Sequence, residues 1–552
     1  MNDFARVETA LAGLAQRRGL LPMLFIALFA TLMFLPGFFT VPPIDRDETR
    51  FSQASRQMVA SGDLIDIRLG EGTRYKKPVG IYWLQSAAVS LVGPEHAKDI
   101  WAYRLPSLVA AVAACLLTYL IALSLVNAQA AFIAALLMAV CFVLNGEARL
   151  AKTDATLLAS ILAAQLVLAR LQMQGALGRM MPWLFWAALG VSALVKGPIG
   201  PMVVGLTVLA LCLLRREVSW LSALRPGWGV LLFVLIVAPW YVAITVKAGN
   251  AFWDEALGRD LLGKIGQGQE SHGAPPGAFT AAVWFTFWPA SILLPFGIWF
   301  AWRERQEAAV LFCLAWWLPS WLVFEMTATK LIHYVLPTFP AIAILCAAGW
   351  QARPEGRPGL IYSVFLAVFL ALALVLAAVP AGFQWDRGAW PAWPWYVGLA
   401  ISTIGIWFAW TRVRTGDRIL PVVGLGLLWL GLAFSLFSNL ARFAPLWPSV
   451  ALADMAQSVE SCDAPLLVSL GYQEESLMLL TDNLPVFVHD ADSALAAIAD
   501  RPCALVFADA PHQAAFEAGL VEHTVETVGT FQGFSIGGAD EVDIKGYLIR
   551  PE

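Results

Sequence analysis

The sequence predicts a polytopic α-helical membrane protein that carries a small α/β domain at its C-terminus. Three observations predict it. Of 552 residues, 59% are hydrophobic and only 14% are charged, with a mean hydropathy of +0.68. A water-soluble fold of that composition would lack polar surface, so the bilayer must be the main solvent. Apolar runs of about 20 residues, the length that crosses a bilayer, recur from residue 20 to residue 440. Between the runs, short basic loops alternate with longer polar ones, as the positive-inside rule requires.

Taken in order, Arg6, Arg17 and Arg18 precede the apolar run 20–39. This run is long and has no small-residue cleavage pattern, so it is expected to remain as the first span. About thirteen spans are expected, at roughly 20 residues per crossing. They begin near Leu20, Trp101, Ala128, Ala155, Met181, Pro198, Trp228, Phe279, Glu307, Leu331, Gly359, Pro394 and Arg418. Loops bearing Arg17/Arg18, Arg170/Arg179, Arg215/Arg216/Arg225, Arg303/Arg305, Arg353/Arg357 and Arg412/Arg414/Arg418 are assigned to the cytoplasm. The long segments 41–100 and 247–278 fall on the other side, and an odd number of spans sends the tail there too. Residues 1–445 are thus expected to form the membrane domain and 446–552 the α/β domain.

In the tail, 466–471, 486–489 and 504–508 read as short buried strands, and 490–499 and 511–519 as intervening helices. That alternation suits a small α/β layer. Of seven cysteines, five lie in apolar segments, while Cys462 and Cys503 lie in the tail and are available to pair in an oxidising compartment.

The polar residues gather on the outward side. The stretch 44–51, IDRDETRF, places Asp47, Glu48 and Arg50 directly after the first span, with Phe51, Ala54, Met58 and Val59 at helical spacing. The expected element is an amphipathic helix lying along the membrane surface. Residues 74–83, RYKKPVGIYW, set Lys76 and Lys77 among Tyr75, Tyr82 and Trp83, a pattern suited to a lipid phosphate at the interface. An acidic helix start and snorkelling lysines in an aromatic belt account for the same two patterns without any ligand.

Arg149, Lys152 and Asp154 follow, then Lys196 in VKGP, then Arg259, Asp260, Lys264, Glu270 and His272, and last Lys330, His333 and Tyr334 in TKLIHY. Cations on the outward side run against the orientation rule, and several together point to an anion held there. The histidines have no HxxxH or HxxE spacing, so no metal site is expected from them. Walker, Rossmann and GxSxG patterns are absent, which argues against direct use of a nucleotide, and nothing marks a nucleic-acid partner.

The run RDETRFSQASRQMVASGDL, residues 46–64, resembles the first outer loop of ArnT-type aminoarabinose transferases and, more distantly, that of the protein O-mannosyltransferases. RYKKPVGIYW, the pair Thr153 and Asp154, VKG at 195–197, ESHGAPPGAF at 270–279 and TKLIHYVLP at 329–337 resemble the family's later motifs in the same order. The resemblance implies a GT-C fold and inverting transfer of a sugar from a polyprenyl (undecaprenyl) phosphate. The acceptor would be lipid A, lipopolysaccharide or another envelope component. It also implies a bacterial inner-membrane enzyme, monomeric, with a cytoplasmic N-terminus and a periplasmic active site and C-terminal domain.

By position, Asp47 matches the family's proposed catalytic aspartate and Asp154 its second acidic position. Arg50, Lys77, Lys330 and Tyr334 match residues around the donor phosphate, and Lys76 and Lys196 add charge suited to that role. Glu48, Tyr75, Tyr82 and His333 lie in the same motifs as substrate-binding candidates. His272 matches a histidine that can contribute to a metal site. One departure stands out: Lys76 occupies the place of an acidic residue that would share a metal with His272. The expectation is therefore that no cofactor is required, that a divalent metal is disfavoured, and that the donor is a uronate or neutral sugar rather than a 4-amino sugar. Two other functions remain open at this point. One is an enzyme like the protein O-mannosyltransferases. The other is a secondary transporter, although transporters place ionisable residues near the midplane on broken helices.

Overall fold

The computed structural model describes residues 2–175, 177–256, 258, 273–354, 359–459, 462, 465–520 and 523–551. The chain divides into two compact units.

The first unit comprises residues 1–38, 75–84 and 104–436 and is helical. Six helices are long and apolar enough to cross a bilayer: Ile100–Leu125, Asp154–Gln174, Pro226–Ala248, Ala308–Met326, Leu360–Asp386 and Leu420–Ser438. Three bent pairs, with breaks of 116°, 61° and 108°, bring the count to at most nine among the described residues. The expected count was about thirteen. The difference has a local cause. Several apolar runs counted as spans form shorter helices of 10–17 residues, as with Met181–Lys196, Ile199–Arg215 and Leu336–Ala352.

At the centre lies the helix Ala128–Val140, buried at every position from Ala130 to Val140. A helix apolar all round belongs in a core. Two buried arginines tie down the end of the first span. Arg149 donates to the carbonyls of Pro36 (2.8 Å), Asn145 (2.6 Å) and Met33, and Arg104 donates to Phe38 O at 3.1 Å. The last carbonyls of a helix have no partner within it, and a guanidinium there supplies one. Arg149, grouped from sequence with the anion candidates, thus has a structural task. Trp393–Arg414 and Leu420–Ala433 approach closely through glycine. A Cβ at Gly405 would lie 2.3 Å from Leu428 N, and one at Gly431 would lie 2.4 Å from Gly398 O. Small residues allow such backbone contact between helices.

The second unit comprises residues 39–74, 85–103 and 437–552. Its first segment forms a helix, Asp47–Ser61, and a two-stranded hairpin, β1 (Arg68–Leu69) and β2 (Gly72–Thr73). The C-terminal part is a five-stranded sheet of β3 (Leu466–Leu470), β4 (Val486–Val488), β5 (Ala504–Asp509), β6 (His523–Ser535) and β7 (Asp540–Pro551). The order is β4-β3-β5-β7-β6, with β3 parallel to β4 and β5, and β7 antiparallel to β5 and β6.

Side chains alternate across this sheet with the period of two that a strand imposes. Val468, Leu470, Val506 and Ala508 face the helices Ala491–Ile498 and Ala510–Ala518. Leu467, Leu505, Phe507 and Ile544 pack on Leu452, Tyr472 and Leu477. The three predicted strands and two helices are present, but the β6–β7 hairpin is not anticipated by the sequence. Cys462 and Cys503 are joined in a disulfide across a separation of 41 residues.

Asp47–Ser61 is helical as its spacing predicts, yet the buried set is not purely apolar: Glu48, Thr49, Ser52, Gln53 and Ser55 are buried beside Phe51, Ala54 and Met58. It packs on the helix Glu475–Leu480 of the α/β domain, which explains the polar character of its inner face better than a lipid surface does.

Candidate functional site

Within the helical unit, five ionisable side chains converge. Glu147 comes from the helix Phe142–Ala148, and Lys152 from the turn that follows. Asp154 is the first residue of Asp154–Gln174, where a carboxylate complements the helix dipole, and Lys196 is the last of Met181–Lys196, where an ammonium does the same. His333 comes from the loop before the turn Leu336–Thr338.

Lys196 Nζ lies 2.5 Å from Asp154 Oδ1, and Lys152 Nζ lies 3.7 Å from Glu147 Oε1. The His333 ring stands between the carboxylates, with Nδ1 3.5 Å from Glu147 Oε1 and Nε2 3.7 Å from Asp154 Oδ2. Lys196 Nζ also sits 5.3 Å from the centre of the Tyr334 ring. All five side chains are at most 14% exposed. Charges so removed from water act strongly on whatever charge develops beside them.

Among the described residues, ligand atoms of Glu147, Asp154 and His333 lie within 4.8 Å of one another, a spacing a metal ion can use. The donor set does not fit a divalent cation well, because each carboxylate already faces an ammonium and an ion would have to displace Lys196 from Asp154. The metal site implied by the resemblance fares no better on its own residues. Lys76 is an exposed ammonium, and His272 lies outside the described residues.

The other sequence candidates of this unit are placed as follows. Lys77 is half-buried. Tyr75 is 4% exposed and packs edge-on against Phe252, with ring centres 5.9 Å apart, and Tyr82 is fully buried. Lys330 Nζ donates to Thr327 O and lies 6.0 Å from the centre of the Phe279 ring. The structure therefore gathers Asp154, Lys196, His333 and Tyr334, and adds Glu147. Sequence inspection passes over Glu147, although an acid at the end of an apolar stretch is itself a signal.

In the second unit, Asp47 is exposed at the first turn of its helix. Arg46 before it takes φ 70°, a backbone conformation that L-residues rarely adopt. Glu48 is buried, and its Oε2 accepts from Ile44 N at 3.0 Å, which ties the loop to the helix. Arg50 Nε donates to Glu475 Oε1 at 2.7 Å. Both residues, expected at substrate and phosphate, thus have protein partners here. Asp45 is a further acid that sequence inspection leaves aside. Burial, and then the charge of Glu474, push its carboxyl up to about 7, with hydrogen bonds from Ser476 partly opposing. Glu474 is itself raised, by burial first and then by Glu475.

Residues 76–242 match the dolichyl-phosphate-mannose-protein mannosyltransferase family. Two curated relatives are both undecaprenyl phosphate-alpha-4-amino-4-deoxy-L-arabinose arabinosyl transferases. The one from Pectobacterium carotovorum is 27% identical over 58% of this chain and 58% of its own length. The one from Aeromonas hydrophila is 28% identical over 57% of this chain and 58% of its own. The chain therefore spans less than two thirds of the length of the curated relatives it matches. Among solved structures, ArnT from Cupriavidus metallidurans bound to undecaprenyl phosphate superposes with a TM-score of 0.75 at 19% identity, covering 95% of this chain and 97% of that one. At that identity the likeness shows the fold.

Proposed function

We propose that the chain is an ArnT-like member of the GT-C glycosyltransferases, a reading supported by the family match and the curated relatives, and that it moves a sugar from a polyprenyl phosphate, undecaprenyl phosphate in a bacterium, to lipid A, lipopolysaccharide or another envelope acceptor. The observation that carries this proposal is the buried set Glu147, Lys152, Asp154, Lys196 and His333, which holds charge in water-poor surroundings and of which Asp154, Lys196 and His333 lie in the motifs that resemble the family's.

In an inverting displacement the acceptor oxygen forms the new bond to the anomeric carbon as the bond to the phosphate oxygen breaks. Negative charge grows on the leaving phosphate, and preorganised cations stabilise it. We assign that task to Lys77 and Lys196, with Lys76, Lys330 and Arg50 as further cations and the Tyr334 hydroxyl as a donor. Asp47 is assigned the proton of an acceptor hydroxyl. A phosphate acceptor is already ionised, and Asp47 would then orient the sugar. Glu48, Tyr75, Tyr82, His272 and His333 remain assigned to the substrate. The polyprenyl tail partitions into the bilayer, which positions the donor without a deep soluble pocket. Residues 1–445 would form the catalytic membrane domain of a monomer. The N-terminus would be cytoplasmic, with residues 446–552 and the chemistry in the periplasm.

The ammonium of Lys76 favours a uronate or neutral donor sugar over a 4-amino sugar, and aminoarabinose as the best substrate in a donor panel would overturn that point. The family match at 76–242 supports a second acceptor class, a protein hydroxyl. Mass measurement of envelope glycolipids and glycans separates these outcomes in cells with the protein, without it, and with Asp47→Asn. A species that loses one sugar mass in both altered strains identifies donor and acceptor together. No change in any glycan, with altered solute uptake by membrane vesicles, would instead favour a transporter.

A further inference from the structure

The α/β domain grips the helix Asp47–Ser61 at two places along its length. Near the start, Arg50 Nε donates to Glu475 Oε1 at 2.7 Å. Further along, Arg56 Nη1 donates to the carbonyls of Met478, Leu479 and Thr481 at 3.1, 2.9 and 3.1 Å. These carbonyls lie at the end of the helix Glu475–Leu480, where a helix leaves its oxygens without internal partners. All three contacts come from one guanidinium nitrogen, whose two N–H donors the three carbonyls share.

A third tie runs through the hairpin. Gln57 exchanges hydrogen bonds of 2.9 Å with both backbone groups of Gly70, and Gly70 lies against Met478. The pair Lys98 and Asp482, at 2.5 Å, is more exposed and adds little.

We propose that the α/β domain is a positioning device for Asp47, and that Arg56 and Glu475 are the positioning residues through which it acts. This rests on the assignment of Asp47 as the residue that takes the acceptor proton or orients the sugar. Arg56 is nine residues beyond Asp47, roughly 13 Å along a helix. It acts on the carboxylate only through the rigid helix between them. The segment before Asp47 is held on the same domain, since the Asp45 carboxyl accepts hydrogen bonds from Ser476, and Ile44 N donates to Glu48 at 3.0 Å. Fixing the helix on the domain therefore fixes the direction of its first residue. Displacing a reacting group by about 1 Å costs on the order of 10²-fold in rate.

The test uses the full-length protein and two readouts. Hydrogen exchange in detergent follows the amides of 47–61, with β3 and β5 as internal reference. Product per enzyme is read as the mass-shifted envelope species in cells expressing each variant equally. Arg56→Ala is expected to raise exchange in 47–61 at least tenfold, leave β3 and β5 unchanged, and lower product formation by about 10²-fold. Arg56→Lys should fall between, and Glu475→Gln should show the same pattern more weakly.

Unchanged exchange in 47–61 would overturn the grip. Raised exchange with product formation within twofold of the parent would overturn its role in positioning. Asp47→Asn separates this proposal from the one beneath it. Full product formation by Asp47→Asn removes the role of Asp47 itself, whatever Arg56→Ala does to exchange.

Discussion

At the scale of single residues, the contact between Lys196 and Asp154 decides most. A buried carboxylate that loses its partner costs roughly 3–5 kcal/mol, because the remaining charge is stranded in a poor solvent. Lys196→Met is expected to destabilise the helical unit toward the lower end of that range, since Lys152 and His333 still face the same network. Asp154→Asn combined with Lys196→Met should recover part of the loss. Denaturant titration of the four proteins in detergent reads the coupling, and strict additivity would mean that the pair is not a unit. The same contact leads to the expectation that the proposed activity is insensitive to chelation, because an ammonium already occupies the carboxylate an ion would need. A loss of activity on chelation that zinc or manganese restores would contradict this.

Asp45 gives a pH dependence. Its carboxyl is pushed up to about 7 in the fold from an ordinary 3.8, so the folded state holds a proton that the unfolded chain releases. Stability from this group is fully present below about pH 4, declines as pH rises toward 7, and is flat above that. Glu474, raised in the same direction, adds to the slope, while Arg46 and Arg50 oppose it. Protease resistance of the α/β domain in urea should therefore be greater at pH 5 than at pH 8. Asp45→Asn should flatten the difference, and an unaltered slope in that variant would assign the effect elsewhere.

At the scale of elements, the pair Trp393–Arg414 and Leu420–Ala433 shows what glycine does in this fold. At Gly405 and Gly431 a Cβ would overlap backbone atoms of the facing helix. Gly405→Val is expected to push the helices apart and lower thermal stability in detergent by several degrees. Gly416→Ala, in open space, loses only its favourable φ of 85° and should do less. Equal losses would mean that helix contact is not what matters at Gly405.

The elements also show what the sequence makes legible. Asp154 and Lys196 can be found from sequence because each is a charge at the edge of a long apolar run. Glu147 escapes notice because a short helix, Phe142–Ala148, bends away at 61° and carries it back toward His333, and bends of that kind leave no periodic trace. β3, β4 and β5 are legible as buried runs. The β6–β7 hairpin is not, since only two of the thirteen residues of β6 are buried and polar residues interrupt its apolar ones. The partnership of Arg50 and Arg56 with Glu475–Leu480 spans more than 400 residues of chain, and no local pattern announces a contact of that range.

At the scale of the whole molecule, the number of spans matters less than its parity. An odd count, such as the thirteen expected from the apolar runs, would place the two ends of the chain on opposite sides, and the six to nine candidate spans among the described residues include even and odd counts. With the arginine-rich loops in the cytoplasm, the proposal is that the α/β domain lies outside, in an oxidising compartment in which disulfides form and persist. Cys462 and Cys503, joined in the structure, report on that assignment directly. In intact cells these two cysteines should resist alkylation until a reductant is added, and they should become reactive in cells unable to form periplasmic disulfides. Cysteines alkylated without reduction would place the domain in the cytoplasm and reverse the orientation of every loop. The proposed periplasmic chemistry would fail with it, because Asp47 and the helix that carries it belong to the same compact unit as that domain.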